Sequence, residues 1–400
     1  GSSMIDEKGY QSWASGINNR APSNRIPEGS ARDMLNLDPG PLLRSRVGYE
    51  KKLPTTNARA IASLGHRVIF VDGTELTELD THTDAVRVLG TIAGAGPVAF
   101  AGHNSELFIS TVNETLRYDG QLREWGVPDV TVQPPAGVAS VTEGRRLYAM
   151  TYVNQYGEEG GTVAAASVPA GELTITVPTL PAGCTARIYV SALNGRTLYY
   201  QTEATAAGPI RVVRPVDYTA TLATMHMRRP KPCVFLASAG AVLAMASGDT
   251  VNITEPLWPH LVNYEARFIQ YPSEVGMLLA GLHGMYVSAD KCYMVTNAET
   301  ESPQQSGVLD YPAIYGTGTI LPTGEATWVT RYGVAIESRD SREGILEPTK
   351  PQFVVGNHVS GASGFVEYDG GQRLVATMKR SEGQGTLAAC DYFEAEVIRP

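Results

Sequence analysis

The sequence predicts an all-β fold built from repeated short hairpins, and three observations carry this. An apolar strand, a glycine turn and a second apolar strand return at 62–73, 99–110, 235–245 and 277–287. The 400 residues include 41 glycines and 25 prolines with no period of three, so the chain turns often and is not collagen-like. Between the second and third hairpins, longer strands of alternating polarity interrupt the repeat. A hairpin cannot bury its own apolar face, so hairpins in series stack around a centre. The predicted architecture is a β-propeller with a β-sandwich inserted into it.

Residues 4–55 are expected to form an arm and the entry to the propeller, with one short helix from Ser30 to Leu37. Ser30 would cap it and Asp38-Pro39-Gly40-Pro41 would stop it. Residues 56–130 carry the first part of the propeller. There Gly65-His66 and Gly102-His103 are read as equivalent turn positions. Val132-Gln133-Pro134-Pro135 then reads as a linker into longer strands at 146–153, 172–177, 185–191, 198–201 and 210–213. Residues 217–400 carry the rest of the propeller. At roughly 40–50 residues per blade, the chain outside the insertion gives about six or seven blades. The last strand, 391–399, is expected to complete a blade begun nearer the N-terminus and so hide an edge.

The formal net charge of −9 disfavours general binding to phosphate backbones, which requires Lys and Arg. It suits a surface past which DNA slides without sticking. No apolar run is long enough to span a bilayer, and no secretory pattern opens the chain. Cys184, Cys233, Cys292 and Cys390 are far apart and lie in or beside apolar strands. Four reduced, buried thiols made in a bacterial cytoplasm are the expectation.

The search for chemistry finds no nucleophile elbow, no zinc-protease helix motif, no phosphate-binding loop and no EF-hand loop. No cofactor, catalytic residue or metal is expected. The nearest metal-ligand pattern is Asp80, His82 and Asp84, which share one face if extended; the alternative is a solvated loop. Glu394 with Glu396, and Glu299 with Glu301, are paired carboxylates whose plain reading is exposure to water. The sequons at Asn113 and Asn252 carry no weight without secretion. Trp258, between Leu257 and Pro259, is expected to wedge between blades. Exposed, it would join Tyr199 and Tyr200 as a candidate contact for a glycan or a partner protein.

The middle block, 131–216, resembles a fibronectin type III domain. The likeness rests on its Pro-Pro entry, its tyrosine-rich middle strand and Arg187-Ile188-Tyr189-Val190-Ser191 before the Asn194-Gly195 hairpin. The opening Gly16-Ile17-Asn18-Asn19-Arg20-Ala21-Pro22, the stretch from Arg25 to Asp38 and the ending from Cys390 to Arg399 resemble bacteriophage virion proteins. The overall plan is similar to propeller-bearing phage tail proteins of the nozzle, or tail tubular, type. That resemblance implies a non-enzymatic structural part of the virion tail. It would assemble with other tail proteins, as a homo-oligomeric ring, around passing DNA. The alternatives are a virion protein that binds host-surface glycan and a propeller hydrolase.

Overall fold

The structure, a computed structural model, describes residues 58–396 apart from 93, 95, 140–142, 213–218, 341–344, 347–357, 369–370 and 381–389. The expected arm and helix within 4–55 lie outside the described residues. Every regular element among the described residues is a β-strand. No helix there is long and apolar enough to cross a membrane. The chain divides into two compact units, and the second consists of Glu124–Pro230 and Ile253–Phe268.

The first unit is a β-propeller. Blade 1 is β1 (Ala58–Leu64), β2 (Arg67–Asp72), β3 (Glu75–Asp80) and β4 (Val86–Thr91). Blade 2 is β5 (Ala99–His103), β6 (Glu106–Ser110), β7 (Thr115–Tyr118) and β8 (Leu122–Glu124). The strands of the second unit follow in the chain: β9 (Ala136–Val138), β10 (Arg145–Val153), β11 (Ala166–Pro169), β12 (Leu173–Val177), β13 (Thr185–Ser191), β14 (Leu198–Ala204) and β15 (Gly208–Val212). Blade 3 is β16 (Phe235–Ala239), β17 (Val242–Ser247), β18 (Thr250–Ile253) and β19 (Phe268–Gln270). Blade 4 is β20 (Met277–Ala280), β21 (Met285–Ser288), β22 (Cys292–Thr296) and β23 (Gln304–Leu309). Blade 5 is β24 (Thr319–Ile320), β25 (Ala326–Thr330), β26 (Gly333–Glu337) and β27 (Ile345–Leu346). Blade 6 is β28 (His358–Tyr368), β29 (Gly371–Arg380) and β30 (Cys390–Glu396).

Each blade is a simple meander, with strands adjacent in sequence paired side by side. The first strands of successive blades touch in the order β1, β5, β16, β20, β24, β28. That sequence of contacts stacks the blades in chain order. Side chains of a strand alternate between its faces, and in a propeller both faces meet a neighbouring blade. Blade 4 illustrates this. Met277, Leu279 and Tyr286 pack with Trp328 and Ala335 of blade 5. Leu278, Met285 and Val287 pack with Phe235 and Ala244 of blade 3. The runs Met277-Leu278-Leu279 and Met285-Tyr286-Val287 are therefore continuously apolar, not alternating.

Carboxylates and hydroxyls fasten adjacent blades. Glu337, at the end of β26 and 2% exposed, reaches the β20–β21 turn. Its two oxygens accept from the backbone N–H of Leu282 at 2.7 Å, His283 at 3.1 Å and Ala326 at 3.2 Å, and from the hydroxyl of Tyr286. Glu299 of blade 4 caps the β16–β17 turn by accepting from the Ala241 N–H at 2.6 Å. Gly240 in that turn has φ of 63°, a left-handed value that favours glycine, and a Cβ there would displace the Glu299 carboxylate. Ser110 Oγ accepts from the Cys233 N–H at 2.8 Å, and Ser288 Oγ from the Ala313 N–H at 2.9 Å. These serines end β6 and β21, equivalent strands of blades 2 and 4.

Two expectations are corrected. Gly65-His66 is the two-residue β1–β2 turn, since Leu64 pairs with Arg67 and Gly65 has φ of 59°. Gly102-His103 instead lies inside β5, and the turn there is Asn104-Ser105. The two positions are not equivalent; His103 is buried, with Nδ1 2.7 Å from Ser238 Oγ. The C-terminal strand β30 is the third strand of a sheet whose other two strands precede it directly.

In the second unit, β11-β10-β13-β14 form one antiparallel sheet and β15-β12-β9 another. Both contribute to one core: Tyr148, Met150, Ile188 and Val190 from the first, Leu173, Ile175 and Val177 from the second. In β12 apolar residues fall at every second position, because one face of its sheet meets this core, whereas β10 and β13 also bury Ala149 and Tyr189 on their other face with Leu198.

Candidate functional site

The candidate site is the loop Ile253–Phe268, which leaves the propeller repeat and belongs to the second unit. Its base is closed by the Ile253 N–H donating to the Arg267 carbonyl at 3.0 Å, and Glu255 N–H donates to the Leu261 carbonyl at 2.9 Å. Inside lie two successive turns. Trp258 N–H donates to the Glu255 carbonyl at 3.0 Å, and Leu261 N–H to the Trp258 carbonyl at 3.1 Å. Pro256 and Pro259 each take the second position of a turn, where a fixed φ favours the bend.

The third position of the first turn is unusual. Leu257 has φ of 64°, a left-handed value that this turn type normally gives to glycine. A leucine there costs roughly 1–2 kcal/mol in backbone strain. Its side chain gains nothing in return from burial, since Leu257 is 74% exposed and the adjacent Trp258 is 42% exposed. Strain of this kind at an exposed apolar pair is a mark of function.

The loop is held from beneath by side chains distant in sequence. The indole N–H of fully buried Trp125 donates to the Pro259 carbonyl at 2.6 Å. Buried His260 places Nε2 3.1 Å from the Glu159 carbonyl and Nδ1 3.6 Å from Glu158 Oε2. Val262 exchanges two backbone hydrogen bonds with Arg228, both 2.9 Å. Arg228 and the Arg229 N–H both meet the Asp129 carboxylate, whose pKa burial pushes up despite these partners. The Glu159 carboxylate accepts from Thr151 Oγ1 at 2.7 Å and from the Tyr189 hydroxyl. Burial, then that bond, holds the Tyr189 phenol well above its ordinary pKa.

The other candidates are placed as follows. Trp258 does not wedge between blades; among the described residues Trp125 and Trp328 are the fully buried indoles. Tyr199 and Tyr200 lie on β14 and are half-buried. The Tyr200 ring meets Tyr189 edge-on at 5.9 Å, under the Arg187 guanidinium at 5.8 Å. They therefore sit on a different element from Trp258. Asp80 ends β3 and its Oδ1 accepts from the N–H groups of His82, at 2.8 Å, and Thr83. The first of these bonds holds its carboxyl below the usual range. Asp84 follows in the turn with φ of 58°, so Asp80, His82 and Asp84 do not share an extended face. Among the described residues no three His, Cys, Asp or Glu side chains converge as a metal site. Glu299 lies in a turn and caps blade 3, so it does not pair with Glu301 on a strand. Glu394 and Glu396 fall on β30. Trp125, Glu158 and His260 were not singled out by the sequence. Their one local signal is the pair of prolines bracketing Leu257-Trp258.

No family model matches the chain, and no curated protein matches it. Among solved structures it is similar to apo AztD from Citrobacter koseri, at 14% identity and a TM-score of 0.28, over 74% of this chain and 87% of that one. It is also similar to a puromycin hydrolase, at 12% identity and a TM-score of 0.29, over 85% of this chain and 52% of that one. A third is the N-terminal domain of Nup159, at 10% identity and a TM-score of 0.30, over 80% of this chain and 73% of that one. At these scores the likeness assigns neither a family nor an activity.

Proposed function

We propose that this chain is a non-enzymatic structural protein of a bacteriophage tail, of the propeller-bearing nozzle type that its sequence resembles. In this reading the propeller is the frame, and the second unit, a fibronectin-like module, presents the Leu257-Trp258 loop to a neighbouring tail protein. The observation that carries it is the strained, exposed apolar pair on a loop with buried anchors. Trp is the residue type most enriched where protein interfaces concentrate their energy, and a pre-ordered loop loses little entropy on binding. The buried acids also support a structural role. Glu337 and Glu159 have their oxygens occupied by backbone N–H groups, tyrosine and threonine hydroxyls of the fold itself.

Light scattering and negative-stain microscopy of the purified chain, alone and with the adjacent tail protein, test the reading. It predicts a defined assembly, lost in Trp258→Ala. A persistent monomer without affinity for tail components contradicts it, as does turnover of glycoside, ester or peptide substrates. Retention on a glycan array, abolished in Trp258→Ala, would transfer the loop to host-surface sugar.

A further inference from the structure

The loop that displays Leu257 and Trp258 rests on a histidine set between a carbonyl and a carboxylate. Nε2 of His260 faces the Glu159 carbonyl at 3.1 Å. A carbonyl only accepts, so Nε2 carries the proton in the neutral ring. Nδ1 then turns a lone pair toward Glu158 Oε2, 3.6 Å away. Adding a proton at Nδ1 converts this approach into a charge-assisted contact. The Glu158 carboxylate is held ready, because Asn154 Nδ2 donates to its other oxygen at 2.9 Å and its own N–H donates to Asn154 Oδ1 at 3.0 Å.

We propose that His260 is a proton-operated fastener of the contact loop, which grips Glu158 when doubly protonated and loosens when neutral. The proposal rests on the loop being the contact site but is tested without any partner. On the facing loop, Glu158 meets the ring directly. The Glu159 carboxylate is turned to Thr151 and Tyr189, with Arg187 Nη1 3.9 Å from it. On the segment paired with Val262, Arg228 is turned to Asp129 at 3.5 Å. On its own loop, Glu255 uses its backbone in the turns.

The direction follows from linkage. The Glu158 carboxylate favours the second proton, and it is absent from the unfolded chain, where histidine titrates near ~6.5. The grip is therefore complete below about 6.5 and is lost as pH rises above it. It also needs Glu158 ionised, so it weakens again below the ordinary glutamate value of about 4.3. The loop should be tightest between these limits.

Hydrogen exchange of peptides covering 253–268, corrected for intrinsic rates, reads this directly from pH 5 to 8. The wild type should exchange roughly three- to tenfold more slowly at pH 5.5 than at pH 8, one pKa unit of coupling being tenfold. His260→Gln keeps an N–H donor for the carbonyl and should be flat with pH. Glu158→Gln should be flat too and should lower the His260 titration seen by NMR. Trp258→Ala should keep the full pH response even though it abolishes partner contact, which separates failure of the fastener from failure of the contact site. A wild-type response that is flat, or one unchanged in Glu158→Gln, overturns the proposal.

Discussion

A central blade strand buries both faces, whereas β12 of the second unit buries one. In β21, Tyr286 packs toward blade 5 and Met285 and Val287 toward blade 3, so the run has no polar gaps. In β12, Leu173, Ile175 and Val177 share a core while Thr174 and Thr176 between them do not. Two stacking geometries thus write two different patterns from the same strand conformation. The comparison also separates roles. Glu337, Glu299, Ser110 and Ser288 stitch blade to blade, while Trp125, Glu158, Glu159 and His260 of the second unit converge under one exposed loop.

The largest effect should come from opening the inter-blade core. Trp328→Ala removes a fully buried indole between blades 4 and 5 and should cost about 3–5 kcal/mol, read by urea unfolding. Met150→Ala in the second unit should cost about 2–5 kcal/mol. If the two cores are separate, each variant shifts a different set of protected amides in native-state hydrogen exchange. A shift of both sets by either variant would break the distinction.

Next comes a pH effect centred on one thiol of the propeller. Burial between blades 4 and 5 pushes the Cys292 thiol up to about 11. The unfolded thiol ionises near ~8.5, so between these values the unfolded chain binds fewer protons and stability falls as pH rises, by up to about 1.4 kcal/mol per unit. Cys292→Ala should flatten that slope in urea titrations between pH 8.5 and 11. An unchanged slope would mean that the thiol is not sealed between the blades.

A smaller loss should follow from cutting a blade fastener. Glu337→Gln puts an amide where an oxygen received backbone N–H groups, leaving buried donors unmatched at a cost of about 1–3 kcal/mol. It should lower the thermal midpoint while leaving partner assembly intact at temperatures where the variant is folded. Loss of assembly by the folded variant would show that the fasteners serve contact as well as stability.

The propeller was legible because its signal is local. Several hairpins carry a turn glycine between two apolar stretches, as at Ala239-Gly240-Ala241-Val242. Equivalence between turns was less legible: the step from Gly65 to Asn104-Ser105 moves the bend by two residues without changing the apolar run. The site was legible only as a tryptophan between two prolines. Its anchors are not local. Trp125 reaches Pro259 across 134 positions and His260 reaches Glu159 across 101, and no periodicity links them. The left-handed φ of Leu257 is likewise a property of the anchored loop, hidden behind an ordinary leucine.

That leucine also offers the most direct test of whether the loop is kept for contact. Leu257→Gly relieves the backbone, removes the exposed side chain and touches no buried group. It should raise stability by about 1 kcal/mol and, in the same preparation, weaken assembly with the adjacent tail protein at least tenfold. A variant that is more stable and assembles as well as the wild type would contradict the account.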